Sequence, residues 1–257
     1  MVLIRLPADD ELSDEVKRLF ETKIKSYIKV PVIGSYTRSL SYKPRLLENM
    51  ADEHLHIMMT RELPRKTKEM IATAVSMTNS CTYCTVSHAG VLKAYFNFGD
   101  EELVELTQLT AHFSALGVLE NAYSLLSDED IPKATADTLK DIEGSLGRVP
   151  KVYRIMVADP DYLKITWERE KAIMNEGKID ATTKRIIALA ILAKYRAGDL
   201  FKAHWAAAKR EGVNMPQLME ALHVVHTFQK NNVHTTGLNF KEPPDDWWQE
   251  LKRRFIA

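Results

Sequence analysis

The chain repeats itself, and the repeat limits what it can fold into. Shifted by 116 residues, Thr67-Lys68 meets Thr183-Lys184, Ile71 meets Ile187, and Ala72 and Ala74 meet Ala188 and Ala190. The same shift places His88 on His204, Lys93 on Lys209, Pro44 on Pro160 and Leu47 on Leu163. With a small gap, Val30-Pro31 falls on Val149-Pro150. Aligned prolines, small residues and a histidine point to an internal duplication, which has to be found before the rest of the fold is read. The copies are unequal: Cys81 maps to Ala197, Cys84 to Leu200 and Glu69 to Arg185. Any chemistry is therefore expected in the first copy, with the second as its structural partner.

Each copy reads as helical. Leu103, Leu106, Leu109 and Phe113, and then Ile186, Ile187, Ala190 and Ile191, recur at the three- and four-residue spacing of amphipathic helices. No alternating strand pattern persists, and no Asn-Gly or Asp-Gly hairpin signal occurs. The expected fold is all-α, with one helical unit over residues 1–130 and a degenerate copy over 131–257. Pro44, Pro64, Pro150, Pro160 and Pro216 suit helix starts or the turns before them. Asp100 is placed as the cap of a helix from Glu101 to Leu116, and Asn79 and Ser80 are cap types ahead of Cys81. The polar stretch 127–132 reads as a connection before another short helix.

Charge and composition narrow the function. With 35 basic and 35 acidic residues the net charge is zero, which gives nucleic acid no basic stripe and a membrane surface no polybasic anchor. No run of about 18 apolar residues offers a membrane span, and the first residues lack the pattern of a secretory signal. The expected location is cytoplasmic. A close cysteine pair there is more often catalytic or metal-binding than a structural disulfide.

That pair lies in Glu69-X11-Cys81-X2-Cys84-X3-His88. If the chain is helical from Cys81, both thiols and the imidazole share one face. A helix N-terminus favours negative charge, so the strongest lowering of a thiol pKa is expected at Cys81. His88, one turn after Cys84, suits proton exchange near neutral pH. Glu69 belongs to the preceding helix and can return across the turn to orient the ring.

The four residues and their spacing resemble the signature of the alkylhydroperoxidase AhpD-like family, within the carboxymuconolactone decarboxylase superfamily. The resemblance is strongest over about residues 30–125, with a degenerate copy over about 146–240. It implies an all-helical homo-oligomer that reduces hydroperoxides without a cofactor. Cys84 would match the peroxidatic cysteine, Cys81 the resolving cysteine, and Glu69 and His88 the proton relay. A lipoyl group or a thioredoxin-like protein would restore the dithiol. Some members carry a histidine just before the second cysteine, where this chain has Tyr83.

Plainer readings stand beside these. Cys81, Cys84 and His88 could supply three zinc ligands, although no second ligand pair is visible in the sequence. A lyase would use His88 or His204 and leave the cysteines dispensable. A non-enzymatic redox sensor would use the pair to change assembly. His204 reads as a satisfied core or interface histidine. His223 and His226 read as solvated, and His54 and His56 do not share a helical face. Met58 and Met59 read as packing residues. Trp247 and Trp248, with Arg253, Arg254 and Phe255, read as an amphipathic docking tail.

Overall fold

A computed structural model describes residues 2–25, 34–59 and 61–240. Val30, Pro31 and the tail from Trp247 to Phe255 lie outside the described residues. Among those described the chain is helical and has no strand. The helices are α1 (Asp14–Leu19), α2 (Ser35–Ser39), α3 (Pro44–Met58), α4 (Arg65–Thr78), α5 (Thr82–Phe96) and α6 (Asp100–Tyr123). They continue with α7 (Asp137–Leu146), α8 (Lys151–Met156), α9 (Pro160–Asn175), α10 (Ala181–Lys194), α11 (Gly198–Arg210) and α12 (Met215–Gly237).

The duplication is visible in these boundaries. Ser35 and Lys151, Pro44 and Pro160, Arg65 and Ala181, and Thr82 and Gly198 each begin a helix, and each pair is offset by the same 116 residues. The turns repeat as well. Ser80 ends α4 in the left-handed region at φ 53°, and Arg196 ends α10 at φ 57°. In the first turn Cys81 N donates to Ser76 O, and in the second Ala197 N donates to Leu192 O, both at 3.0 Å. One left-handed residue with a bond reaching back across the last turn closes a helix sharply. In the first copy it delivers Cys81 to the start of α5.

The prolines fall where their missing N–H costs nothing. Pro44 and Pro160 open α3 and α9, Pro64 and Pro150 immediately precede α4 and α8, and Pro216 is the second residue of α12. The caps differ from expectation. Asp100 is the first residue of α6 rather than its cap; Gly99 precedes it, and the Gly99 N–H donates to Glu102 Oε2 at 2.6 Å. Three acidic residues in that first turn still complement the helix dipole. The helix also runs past Leu116 to Tyr123. Asn79 and Ser80 close α4 instead of capping α5, because Cys81 takes the cap position itself.

By packing the chain forms two compact units, Met1–Phe98 with His223–Ala257, and Gly99–Leu222. In the first, α4 is buried on almost every side from Thr67 to Ser76. Its neighbours include α5 and the second half of α12, where Asn232 Nδ2 donates to Ser76 Oγ at 3.2 Å. A second apolar cluster of Leu12, Val16, Phe20, Ile24, Leu47 and Ala51 joins α1 to α3. In the other unit α10 takes the central place, with Ile187, Leu189 and Ile191 fully buried, and it packs on α6, where Leu106, Leu109 and Phe113 are fully buried. A helix buried all round is expected to be apolar all round, as α10 is from Ile186 to Leu192. The buried stretch of α4, by contrast, also carries Lys68, Glu69, Thr73 and Ser76, each hydrogen-bonded.

Gly117 lets α6 pack closely in that second unit. A Cβ there would lie 2.7 Å from Tyr195 Cβ. Gly117→Ala is expected to destabilise the protein by ~1–3 kcal/mol through overpacking, outweighing the ~1 kcal/mol that alanine gains within a helix. Urea unfolding checks the sign.

Candidate functional site

The first unit gathers all four residues of the motif. Cys81 is the N-cap of α5, and its Sγ accepts from the Cys84 N–H at 3.3 Å. Cys84 lies in the first turn, so the two sulfurs meet 2.7 Å apart as free thiols, both buried. Thr235 of α12 holds them from the far side, its Oγ1 2.9 Å from Cys81 Sγ and 3.1 Å from Cys84 Sγ. His88 follows one turn later. Its Nδ1 lies 2.8 Å from Glu69 Oε2 on α4. Glu69, which reads in isolation as a surface carboxylate, is only 1% exposed. Its other oxygen accepts from Arg65 Nε at 3.3 Å.

The two thiols are electrostatically unlike. The Cys81 thiol is lowered to about 6, chiefly because Cys84 donates to it. Burial opposes the shift, while Thr235, the Cys84 N–H and Thr236 add to it. The Cys84 thiol is pushed far above its ordinary range by sharing its proton with Cys81, by burial and by the charge of Cys81. Near neutral pH the negative charge therefore rests on Cys81, at the helix start, and the proton on Cys84.

A sign follows for stability. The unfolded thiols titrate near ~8.5. The part of the stability owed to Cys81 is complete above that value and is lost as pH falls through about 6. The raised Cys84 contributes the opposite slope above ~8.5. Thiolate ultraviolet absorbance is expected to titrate with a midpoint near 6 as one thiol, not two. Thr235→Val, which removes a hydrogen bond to the sulfur, is expected to move that midpoint upward.

Burial works against the charge of Glu69, but the His88 hydrogen bond and charge, with Arg65 and His54, hold it below the ordinary carboxylate range. A carboxylate only accepts, so His88 must donate from Nδ1, which leaves Nε2 for a proton on the other side. Neither sulfur hydrogen-bonds His88 directly. Cys84, His88 and Glu69 instead line one cavity of about 110 Å³ with Arg65, His54 and Phe228. Cys81 lies behind Cys84 and does not line it.

Several residues of this site escaped the sequence reading. His54, set aside there because His56 does not share its face, comes from α3 into the cavity, and burial lowers it to about 4. Phe228 stands edge-on to His88 at 4.4 Å and to His54 at 5.8 Å between ring centres. Asn231 and Thr235 reach the cavity from α12, almost 150 positions after the cysteines. A window around the motif cannot see them. Their segment, from Thr227 to Thr236, is polar at most positions, so neither residue stands out in the sequence. Tyr83, where relatives can carry histidine, is turned to the backbone. Its hydroxyl accepts from the Tyr36 N–H at 3.3 Å, and a Cβ on Gly34 would meet that oxygen at 2.9 Å. Burial raises its phenol. Tyr83 thus anchors the start of α2, and the second histidine of the cavity is His54.

Other singled-out residues fall elsewhere. His226 is exposed, 3.8 Å from Glu53, and His223 is exposed too. Met58 is buried, whereas Met59 is half exposed. His204 is wholly buried and meets Arg185 Nη1 at 2.8 Å. In place of a thiolate, the start of α11 is capped by Glu120, which accepts from the Asp199 and Leu200 N–H groups at 2.8 Å each. Among the described residues no group of three or more His, Cys, Asp or Glu is arranged to hold a metal ion. Among them also, no helix is long and apolar enough to cross a membrane.

Comparison with known proteins agrees with this architecture. The model of the carboxymuconolactone decarboxylase family matches residues 44–128 and again 160–236, and the chain belongs to that family. The two matches are the two copies read from the sequence. A solved structure from Burkholderia xenovorans, carrying the provisional name gamma-carboxymuconolactone decarboxylase subunit, shares the fold. It is 18% identical, covers 97% of this chain and 99% of its own, and has a TM-score of 0.56. No curated protein matches the chain.

Proposed function

We propose that the protein is a dithiol peroxidase that reduces hydroperoxides through Cys84 and Cys81. The observation that carries this reading is the free sulfur pair, 2.7 Å apart, with Cys84 alone facing a cavity shared with the His88–Glu69 dyad.

The peroxide enters the cavity beside Cys84. The Cys84 proton passes to His88 Nε2 through the cavity, since no direct bond joins them. Glu69 steadies the imidazolium that forms. The Cys84 sulfur attacks one peroxide oxygen and the O–O bond breaks. The alkoxide leaves with the proton from His88 as an alcohol, and Cys84 becomes a sulfenic acid. The Cys81 thiolate, already charged and adjacent, attacks the Cys84 sulfur. The S–O bond breaks, and hydroxide takes a proton to leave as water. Two electrons have passed from the thiols to the peroxide, leaving a Cys81–Cys84 disulfide. A small dithiol or a thioredoxin-like protein returns them by exchange at the disulfide. His54, kept neutral, adds no positive charge to the cavity where His88 cycles.

The test is peroxide consumption with dihydrolipoamide as the reductant. Catalytic turnover in the wild type, lost in Cys84→Ser, supports the reading. The family name favours one rival, a lyase using His88. It predicts that Cys84→Ser keeps its activity, and that no dithiol supports turnover of peroxide.

A further inference from the structure

The second unit has a cavity of its own, about 360 Å³ in volume. Four residues that line it, His112, Ala115, Leu119 and Thr166, lie 116 residues from Phe228, Asn231, Thr235 and Met50. Those four line the cavity of the first unit. The duplication has therefore kept a cavity at the matching place and exchanged its chemistry. The polar Asn231 and Thr235 become Ala115 and Leu119, so that part of the wall turns apolar.

Two positions change the other way: Met50 becomes Thr166, and Phe228 becomes His112. His112 Nε2 faces Glu170 Oε2 at 3.3 Å, and Tyr153 donates its hydroxyl to the same oxygen. Burial works against the charge on Glu170, but His112, His204 and Tyr153 hold it below the ordinary carboxylate range. The second unit thus keeps a carboxylate-backed imidazole on a cavity wall, as His88 and Glu69 do in the first, but built from different positions. With Nε2 committed to Glu170, Nδ1 is the nitrogen left for a ligand.

At the rim stands Arg169, whose Nη2 donates to the neutral Gln108 Oε1 at 2.7 Å. Among the described residues no carboxylate pairs with this guanidinium. An arginine without an acidic partner, set beside an apolar cavity, suits the fork-shaped recognition of a carboxylate. Tyr162 and Ile165 stand exposed at the same mouth.

We propose that the second unit binds a small organic monocarboxylate. Its carboxylate pairs with Arg169, its compact apolar body packs on Ala115, Leu119 and Ile165, and His112 offers a hydrogen bond to a polar substituent. The site is independent of the cysteines.

Benzoate is a suitable probe, with benzamide as its neutral counterpart, titrated calorimetrically into the intact protein. Benzoate is expected to bind at least about tenfold more tightly than benzamide, the difference one charge-assisted pair supplies. Arg169→Gln, an exposed position that does not endanger folding, is expected to erase that difference. Ala115→Phe is expected to abolish binding by filling the cavity. Binding of benzoate that is equal in the wild type and both variants would place it elsewhere and overturn the proposal. So would equal affinity for benzamide, or no binding of benzoate at millimolar concentration. Peroxide turnover by Cys84 does not enter any of these readouts, so a failure of the peroxidase reading leaves them unchanged.

Discussion

Cys84→Ser is expected to lower peroxide turnover by at least ~1000-fold, because a hydroxyl cannot replace the attacking sulfur. Cys84 is the sulfur that lines the cavity, whereas Cys81 lies behind it. Cys81→Ser should behave differently. It keeps the sulfur that meets the peroxide but loses the charge beside it and the partner for a disulfide. Its expected result is a single reaction with peroxide that stops at the Cys84 sulfenic acid, which dimedone traps. The two variants also separate in their ultraviolet titration. Cys84→Ser retains a thiolate at Cys81, and Cys81→Ser removes the group lowered to about 6. Stopped-flow peroxide kinetics and mass spectrometry of the trapped adduct check both expectations.

Glu69→Gln is expected to reduce turnover by ~10²–10⁴-fold, the usual range for general acid–base assistance. Glu69 acts through His88. Its carboxylate fixes Nδ1 as the donor and offsets the positive charge that appears when Nε2 takes a proton. Glutamine keeps nearly the same shape and supplies an acceptor, but it cannot offset that charge. It also leaves Arg65 without the carboxylate it contacts at 3.3 Å. A purely structural role would appear as lost stability with unchanged chemistry in the protein that remains folded. The relay role appears as slower disulfide formation at unchanged thermal stability, together with a shifted pH–rate profile. Reduction of the disulfide by dihydrolipoamide should change less than its formation, because Thr235, and not Glu69, lies against the two sulfurs.

Much of this architecture could be read in the chain. The 116-residue shift found by matching Pro44 to Pro160 and Thr67 to Thr183 predicts paired helix starts, and four pairs of helices in the structure begin at that offset. The motif spacing was informative because a sharp turn after α4 sets Glu69 opposite His88, and helical geometry sets Cys84 one turn before it. Cap chemistry was harder. Asn79 and Ser80 have the right side chains for an N-cap, yet backbone geometry gives that place to Cys81, since Ser80 is spent on the left-handed turn. The remote wall of the site was not legible at all. His54 looked unremarkable beside His56, and Thr235 is an ordinary helical threonine until α12 is packed against α5. Burial and partners, which decide the roles of such residues, belong to the tertiary structure and not to any sequence window. The second copy shows the converse. Its lost cysteines marked it as degenerate, but the exchange of Phe228 for His112 has meaning only once Glu170 is seen behind the ring.

The most direct measurement is a free-thiol count by mass spectrometry on the reduced protein, before and after a single equivalent of hydrogen peroxide. The expected result is the loss of both thiols, with one new linkage joining the peptides of Cys81 and Cys84, reversed by dihydrolipoamide. Two thiols that survive the peroxide in folded protein would contradict a redox role for the pair and return the site to the histidine chemistry of His88.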